Sequence, residues 1–245
     1  MGLRINTNVP ALNATRQLNR TMLRLSKSLE RLSSGLRINR AADDAAGLAI
    51  AEGFRSSVLG FRVAQRNSQD AISLVQTAEG ALSETTNILQ RIRELAVQAA
   101  TGTSSDENKA ALQDEVDELI AQIDDIAADT EFNTINILDG SQATVTIQAG
   151  AQMGQTLAIS LTGADSTDLA LNAFAISAAA EAATAIQQVD SALATVSSIR
   201  AGLGAAQNRL EFTIATLAIQ EENSSASESA IRDANIALET IEFTR

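Results

Sequence analysis

The sequence contains no cysteine and no histidine. Those two absences remove disulfides, thiolate nucleophiles, imidazole bases and every His/Cys metal site, and with them most familiar catalytic constellations. Zero cysteine by itself leaves the compartment open. Only 2% of residues are aromatic, with no Trp and no Tyr, so a single thick core is hard to fill. Leu, Ile, Val and Ala are enough for the narrow seams of packed helices. Proline occurs once, at Pro10, so no proline interrupts a long helix after it. No apolar run approaches the length of a bilayer span, and no signal-peptide apolar segment opens the chain. Membrane insertion is therefore not expected, and a secreted reading needs a route other than a cleaved signal peptide.

Charge is also short of one sign, but unevenly. The formal net charge is −12, which argues against nucleic acid as a partner. Residues 1–66 nonetheless carry eleven Arg and Lys against four Asp and Glu, leaving the remainder strongly acidic. An Arg-rich, acid-poor amphipathic N-terminus is compatible with a transit peptide or a membrane-surface helix. The narrow heptad that continues toward a second long helix, instead of a cleavage site, favours a solvated basic face.

What the sequence does have is helical periodicity. Leu18, Met22, Leu25, Leu29, Leu32 and Leu36 alternate at spacings of four and three, which puts them on one apolar seam. Asn6 and Asn8 ahead of Pro10 read as the helix start. Ser33, Ser34 and Gly35 read as its end, near Ser34. Arg16, Arg20, Arg24, Lys27 and Arg31 lie mostly off the seam. Such a helix is marginal alone and needs a partner. Asp43 and Asp44 then place capping oxygens and negative charge where a second helix begins.

From Asp44 to Thr101, Ile50, Phe54, Phe61, Ala64, Ala71, Val75, Ala78, Leu82, Leu89, Ile92 and Ala96 share a heptad frame, interrupted by Ser57, Ser68 and Thr85. A helix of that span is on the order of 80 Å long. Gly102 stops it, and Ser104 to Glu107 spell a capping box for a third helix. Its seam of Leu112, Val116, Leu119, Ile123 and Ile126 folds back as a helical hairpin. Asp139-Gly140 ends an extended stretch. Val145 and Ile147, then Leu157, Ile159 and Leu161, alternate with polar residues around Gly150 and Gly154, predicting a β-hairpin at about 143–162. Residues 163–174 read as loop. From Ala175 an Ala-rich helix resumes on Ala182, Ile186, Val189, Leu193, Val196, Leu203, Leu210, Ile214 and Leu217, with Arg200 and Gln207 interrupting.

The acidic residues Asp114, Glu115, Asp117, Glu118, Asp124 and Asp125 fall between apolar positions without EF-hand spacing, and read as a solvated face. Gly202-Leu203-Gly204 lacks the third glycine and the preceding strand of a dinucleotide fingerprint. No catalytic residue, metal ligand or cofactor is expected. In Gln90 to Gln98, Ile92 and Ala96 face the seam, while Arg91 and a partly exposed Leu95, four apart, share an adjacent face suited to interface anchors.

The run LSSGLRINRAADDAAGLAIAEGFRS closely resembles the N-terminal signature of bacterial flagellins, and NILQRIRELAVQAATGT and LGAAQNRLEFTI resemble two further flagellin stretches. The resemblance covers roughly residues 3–140 and 183–244. It implies a structural subunit of the flagellar filament, exported unfolded through the type III apparatus and acting outside the cell in swimming motility. Expected partners are other copies in a helical filament, an export chaperone, hook-associated proteins and a filament cap. The stretch around Gln90, Arg91 and Leu95, with Glu115, looks like the segment that an animal Toll-like receptor reads. The implied architecture is mainly α: an antiparallel, coiled-coil-like helical rod with a small β-hairpin. Residues 1–43 would be an N-terminal assembly helix and linker, 44–225 the rod, and 226–245 a C-terminal linker segment. Flagellins continue past the position of Arg245 with one further amphipathic helix that pairs with the first. The Leu18 to Leu36 seam is thus expected to lack a partner within the subunit, and these residues alone to form no ordinary filaments at physiological salt. A hook–filament junction protein shares the same ends but matches QRIRELAVQAATGT less well. A coiled-coil signalling rod would need a membrane anchor or sensor domain that this sequence does not show.

Overall fold

In chain order the computed structural model, which describes residues 8–101 and 105–244, forms α1 (Val9–Ser34), α2 (Ala45–Ala99), α3 (Asp106–Asp129), β1 (Glu131–Phe132), β2 (Ile135–Asn136), β3 (Thr144–Gln148), β4 (Thr156–Ser160), α4 (Ala179–Arg232) and α5 (Ile236–Thr244). The fold is mainly α with a small hairpin, as the periodicities predict. Asn6, Gly102, Ser104 and Arg245, which carry some of the expected starts and stops, lie outside the described residues. Two compact units divide the chain, residues 1–61 with 219–245 and residues 62–218. The sequence places its functional boundaries after residues 43 and 225, whereas the units divide inside α2 and α4.

The first unit is built around the joint between α1 and α2. Asn8 caps α1, its side chain accepting from the Ala11 amide at 3.2 Å, and Pro10 fits the first turn, where no helical amide bond is lost. Gly35 closes α1 in the left-handed region (φ 71°), donating its amide to Arg31 O at 2.8 Å. Asp44 opens α2 by accepting from the Gly47 amide at 2.9 Å. The C-terminal segment braces the joint: Arg37 N donates to Arg232 O at 2.7 Å and Ala234 N to Gly35 O at 2.9 Å, around an antiparallel bridge of Leu36 with Asp233. The Arg37 guanidinium adds bonds to Ile231 O, and Arg232 reaches Glu52 at 3.1 Å. In this unit the expected heptad frame of α2 holds only in part, with Phe54, Ser57 and Phe61 half-buried. Ala51 and Val58 are buried while Ile50 is exposed. Ile38 packs against Gly47, and Ala51, one turn on, shares that face, about 100° away from Ile50.

In the second unit the frame holds from Ala64 to Ala96, and it buries Ser68 and Thr85 as well. Each hydroxyl satisfies itself on the carbonyl four residues back, Ala64 O and Ala81 O. The core is shared by α2, α3, the β3–β4 hairpin, the segment from Leu161 to Ile176 and α4. Ion pairs Arg93–Asp190 (2.8 Å) and Arg200–Glu79 (2.7 Å) run in opposite residue order, so α2 and α4 are antiparallel here. In the hairpin Val145 faces Ile159 and Ile147 faces Leu157, the alternation read from sequence. A second, two-residue hairpin joins β1 to β2 through Asn133 and Thr134, both at positive φ (51° and 64°). Ser105 caps α3 through the Asn108 amide. The resumed helix starts at Ala179, four residues later than Ala175, because Ile176 N is held by Gln113 Oε1 at 2.7 Å. Asp124 is not part of a solvated face: its carboxylate accepts from Ser166 N (2.7 Å) and Ser166 Oγ (3.0 Å), tying the 161–176 segment to α3.

Candidate interaction surfaces

The two surfaces singled out by sequence lie in different units. In the first, α1 buries no residue. Leu18, Met22, Leu25 and Leu29 are 57%, 59%, 41% and 48% exposed, and only Leu32 and Leu36, nearest the joint, are half-buried. At 100° per residue the seam from Leu18 to Leu32 occupies an arc of about 80°. Arg16, Arg20, Arg24, Lys27 and Arg31 occupy an equal arc, centred about 160° away from it. The cations nearest the joint are matched. Lys27 pairs with Asp43 at 2.6 Å and Arg31 with Glu239 of α5 at 2.8 Å. The Lys27 ammonium, helped by the Arg40 and Asn39 amides, holds the Asp43 carboxyl below the usual carboxylate range. Arg16, Arg20 and Arg24 make no ion pair among the described residues. The C-terminal residues, read from sequence as a linker segment, form α5, which lies against α1 through Arg31; its short apolar set, Leu238, Ile241 and Phe243, stays exposed.

In the second unit the structure brings Arg91 and Glu115 together across α2 and α3. Arg91 Nε and Nη2 donate to Glu115 Oε1 at 3.0 and 2.7 Å, and Nη1 to Glu94 Oε2 at 3.1 Å. The Glu115 carboxylate first, and Glu94 after it, raise the Arg91 guanidinium above its ordinary value. Gln90 is exposed beside them. Leu95 corrects the expectation: it is 1% exposed and belongs to the core. The heptad frame of Ile92, Ala96 and Ala99 puts Leu95 outside the seam, but α2 is covered on a broader arc at this level, so Leu95 is buried too. Among the described residues no group of three or more His, Cys, Asp or Glu is placed to hold a metal.

Long helices packed through Ala- and Leu-rich seams, with one terminal helix left uncovered, define a helical structural protein. Family comparison then specifies which. The model described as the bacterial flagellin N-terminal helical region matches residues 5–143, and that of the C-terminal helical region matches residues 186–245. The chain belongs to the bacterial flagellin family and is a structural subunit of the flagellar filament. It is 49% identical over 243 residues to a flagellin of Halalkalibacterium halodurans, covering 98% of this chain and 89% of the relative. A Bacillus subtilis flagellin is 44% identical over 279 residues, covering 99% and 91%. Among solved structures, Bacillus cereus flagellin aligns with a TM-score of 0.57 at 34% identity, over 62% of this chain and 88% of that one. A structure titled as a putative flagellar hook-associated protein from Vibrio parahaemolyticus aligns at 0.65 over 78% of this chain and all of that one, and at 12% identity shares the fold alone.

Proposed function

We propose that the chain leaves the cell through the flagellar export apparatus, accompanied by an export chaperone, and polymerises between hook-associated and cap proteins into an extracellular helical filament. The work is mechanical and calls for no catalysis. The observation that supports this reading most is the unburied seam of α1. A helix that exposes four large apolar side chains in register is stable when neighbouring copies cover it, and a rotation that does not close turns such contacts into a fibre. On this reading residues 1–43 are the assembly segment and 44–225 the body of the subunit. The Arg91–Glu115 surface, with Gln90, is the part offered to the flagellin-sensing Toll-like receptor. Seeded polymerisation in ammonium sulfate tests the assembly reading, because seeds supply neighbours and the salt strengthens apolar burial. Unsubstituted protein should add to seeds, and the triple variant Leu18→Ser, Met22→Ser, Leu25→Ser should not. Equal elongation by both would refute the role given to the seam.

A further inference from the structure

We infer that α1 of the unassembled subunit binds anionic lipid surfaces, lying in the headgroup layer with its leucine seam toward the acyl chains. The assembly reading uses only the seam. Arg16, Arg20 and Arg24, on the cationic arc at the other side of the helix, are left without a role, and that arc is as regular as the seam itself.

Three features of the helix carry the inference. The seam is open, with Leu18, Met22, Leu25 and Leu29 each more than two-fifths exposed. The opposite arc holds Arg16, Arg20 and Arg24 free of ion pairs among the described residues, whereas Lys27 and Arg31 are already matched by Asp43 and Glu239. No acidic residue interrupts α1 before Glu30. A helix about 10 Å across that sinks its apolar stripe roughly 5–10 Å into the headgroup and acyl boundary leaves its far side at the level of the lipid phosphates. The three free guanidiniums would stand there, each able to bridge phosphate oxygens. Charge complementarity therefore selects an anionic membrane, because in a zwitterionic one each phosphate is balanced by a choline cation and no net potential draws the arginines. Residues 67–245 are strongly acidic and would be repelled, so contact is confined to the N-terminal part of the chain.

Flotation with vesicles tests this, using the full 245-residue chain at a concentration where sedimentation shows monomer. Vesicles of phosphatidylglycerol and phosphatidylcholine in equal parts should carry the protein up the gradient, and phosphatidylcholine alone should not. The variant Arg16→Glu, Arg20→Glu, Arg24→Glu keeps the seam and should lose at least about a hundredfold in apparent affinity for the anionic vesicles, three basic residues near such a surface being worth that much. The seam variant Leu18→Ser, Met22→Ser, Leu25→Ser should lose binding as well. The melting transition of residues 62–218 serves as the folding control for both. Absence of flotation, equal flotation with neutral vesicles, or undiminished binding by the charge-reversed variant would each overturn the inference. Because the charge-reversed variant leaves the seam intact, its seeded polymerisation reports on assembly separately from lipid binding.

Discussion

Gly47 shows how much of the family's signature stretch is dictated by space. A Cβ there would stand 2.5 Å from Asp44 Oδ2 and 2.9 Å from Ile38 Cδ1, so the cap of α2 and the one buried side chain of the joint both depend on a bare backbone. Gly47→Ala should destabilise the first unit by about 1–3 kcal/mol, the usual cost of an overpacked contact, and hydrogen exchange of residues 36–48 should speed up. Asp43 gives the same joint a pH limit. Its folded pKa lies below that of an unfolded carboxylate, so its contribution is fully present above about pH 4 and is lost as pH falls through the lowered value. Protection of the joint amides, relative to their intrinsic exchange rates, should therefore fall below about pH 4, and Asp43→Asn should lessen that pH dependence. Arg91 and Leu95 separate by another measurement. Arg91→Ala should weaken Toll-like receptor signalling and leave the denaturation midpoint nearly unchanged, because its ion pairs are exposed. Leu95→Ala should cost about 2–5 kcal/mol of stability, and any loss of signalling would come through the core. Undiminished signalling from Arg91→Ala in correctly folded protein would remove the arginine from the receptor surface.

Elements differ in how openly the sequence announces them. Asn8, Gly35 and Asp44 are legible because capping is settled within four residues of chain. The β3–β4 hairpin is legible because its alternation is period two on both strands. The β1–β2 turn is not, since Asn133 is a common choice at positive φ but the β-branched Thr134 is a rare one. The 161–176 segment is legible as a loop and illegible as core. Its burial of Leu169, Leu171, Phe174 and Ile176 rests on polar anchors that come from α3, where Asp124 and Gln113 look like surface residues. Those anchors can be weighed. Asp124→Ala strands the Ser166 amide and hydroxyl, and should cost about 1–3 kcal/mol in chemical denaturation, with near-normal packing of α2 on α4. A cost near zero would mean that water replaces the carboxylate.

At the scale of the molecule, the heptad frame predicts burial where one chain supplies both sides of a seam and fails where it does not. Ala64 to Ala96 are covered as the spacing requires, while Leu18 to Leu29, spaced just as regularly, are open. Periodicity reports that a face is apolar and says nothing of who covers it. In dilute monomer, amides of residues 12–30 should exchange far faster than those of 64–96, and polymerisation should protect them. Equal protection in monomer would show that α1 is stabilised from within the subunit. The bridge between Leu36 and Asp233 has a mechanical meaning for a protein of this kind. Tension on α1 arrives at Gly35, where the Ala234 amide is bonded, and at Arg37, whose own amide is bonded to Arg232. A pull on α1 is thereby handed to the backbone that follows α4 before α2 is loaded, so the two strands of the joint share the tension that either would otherwise carry alone.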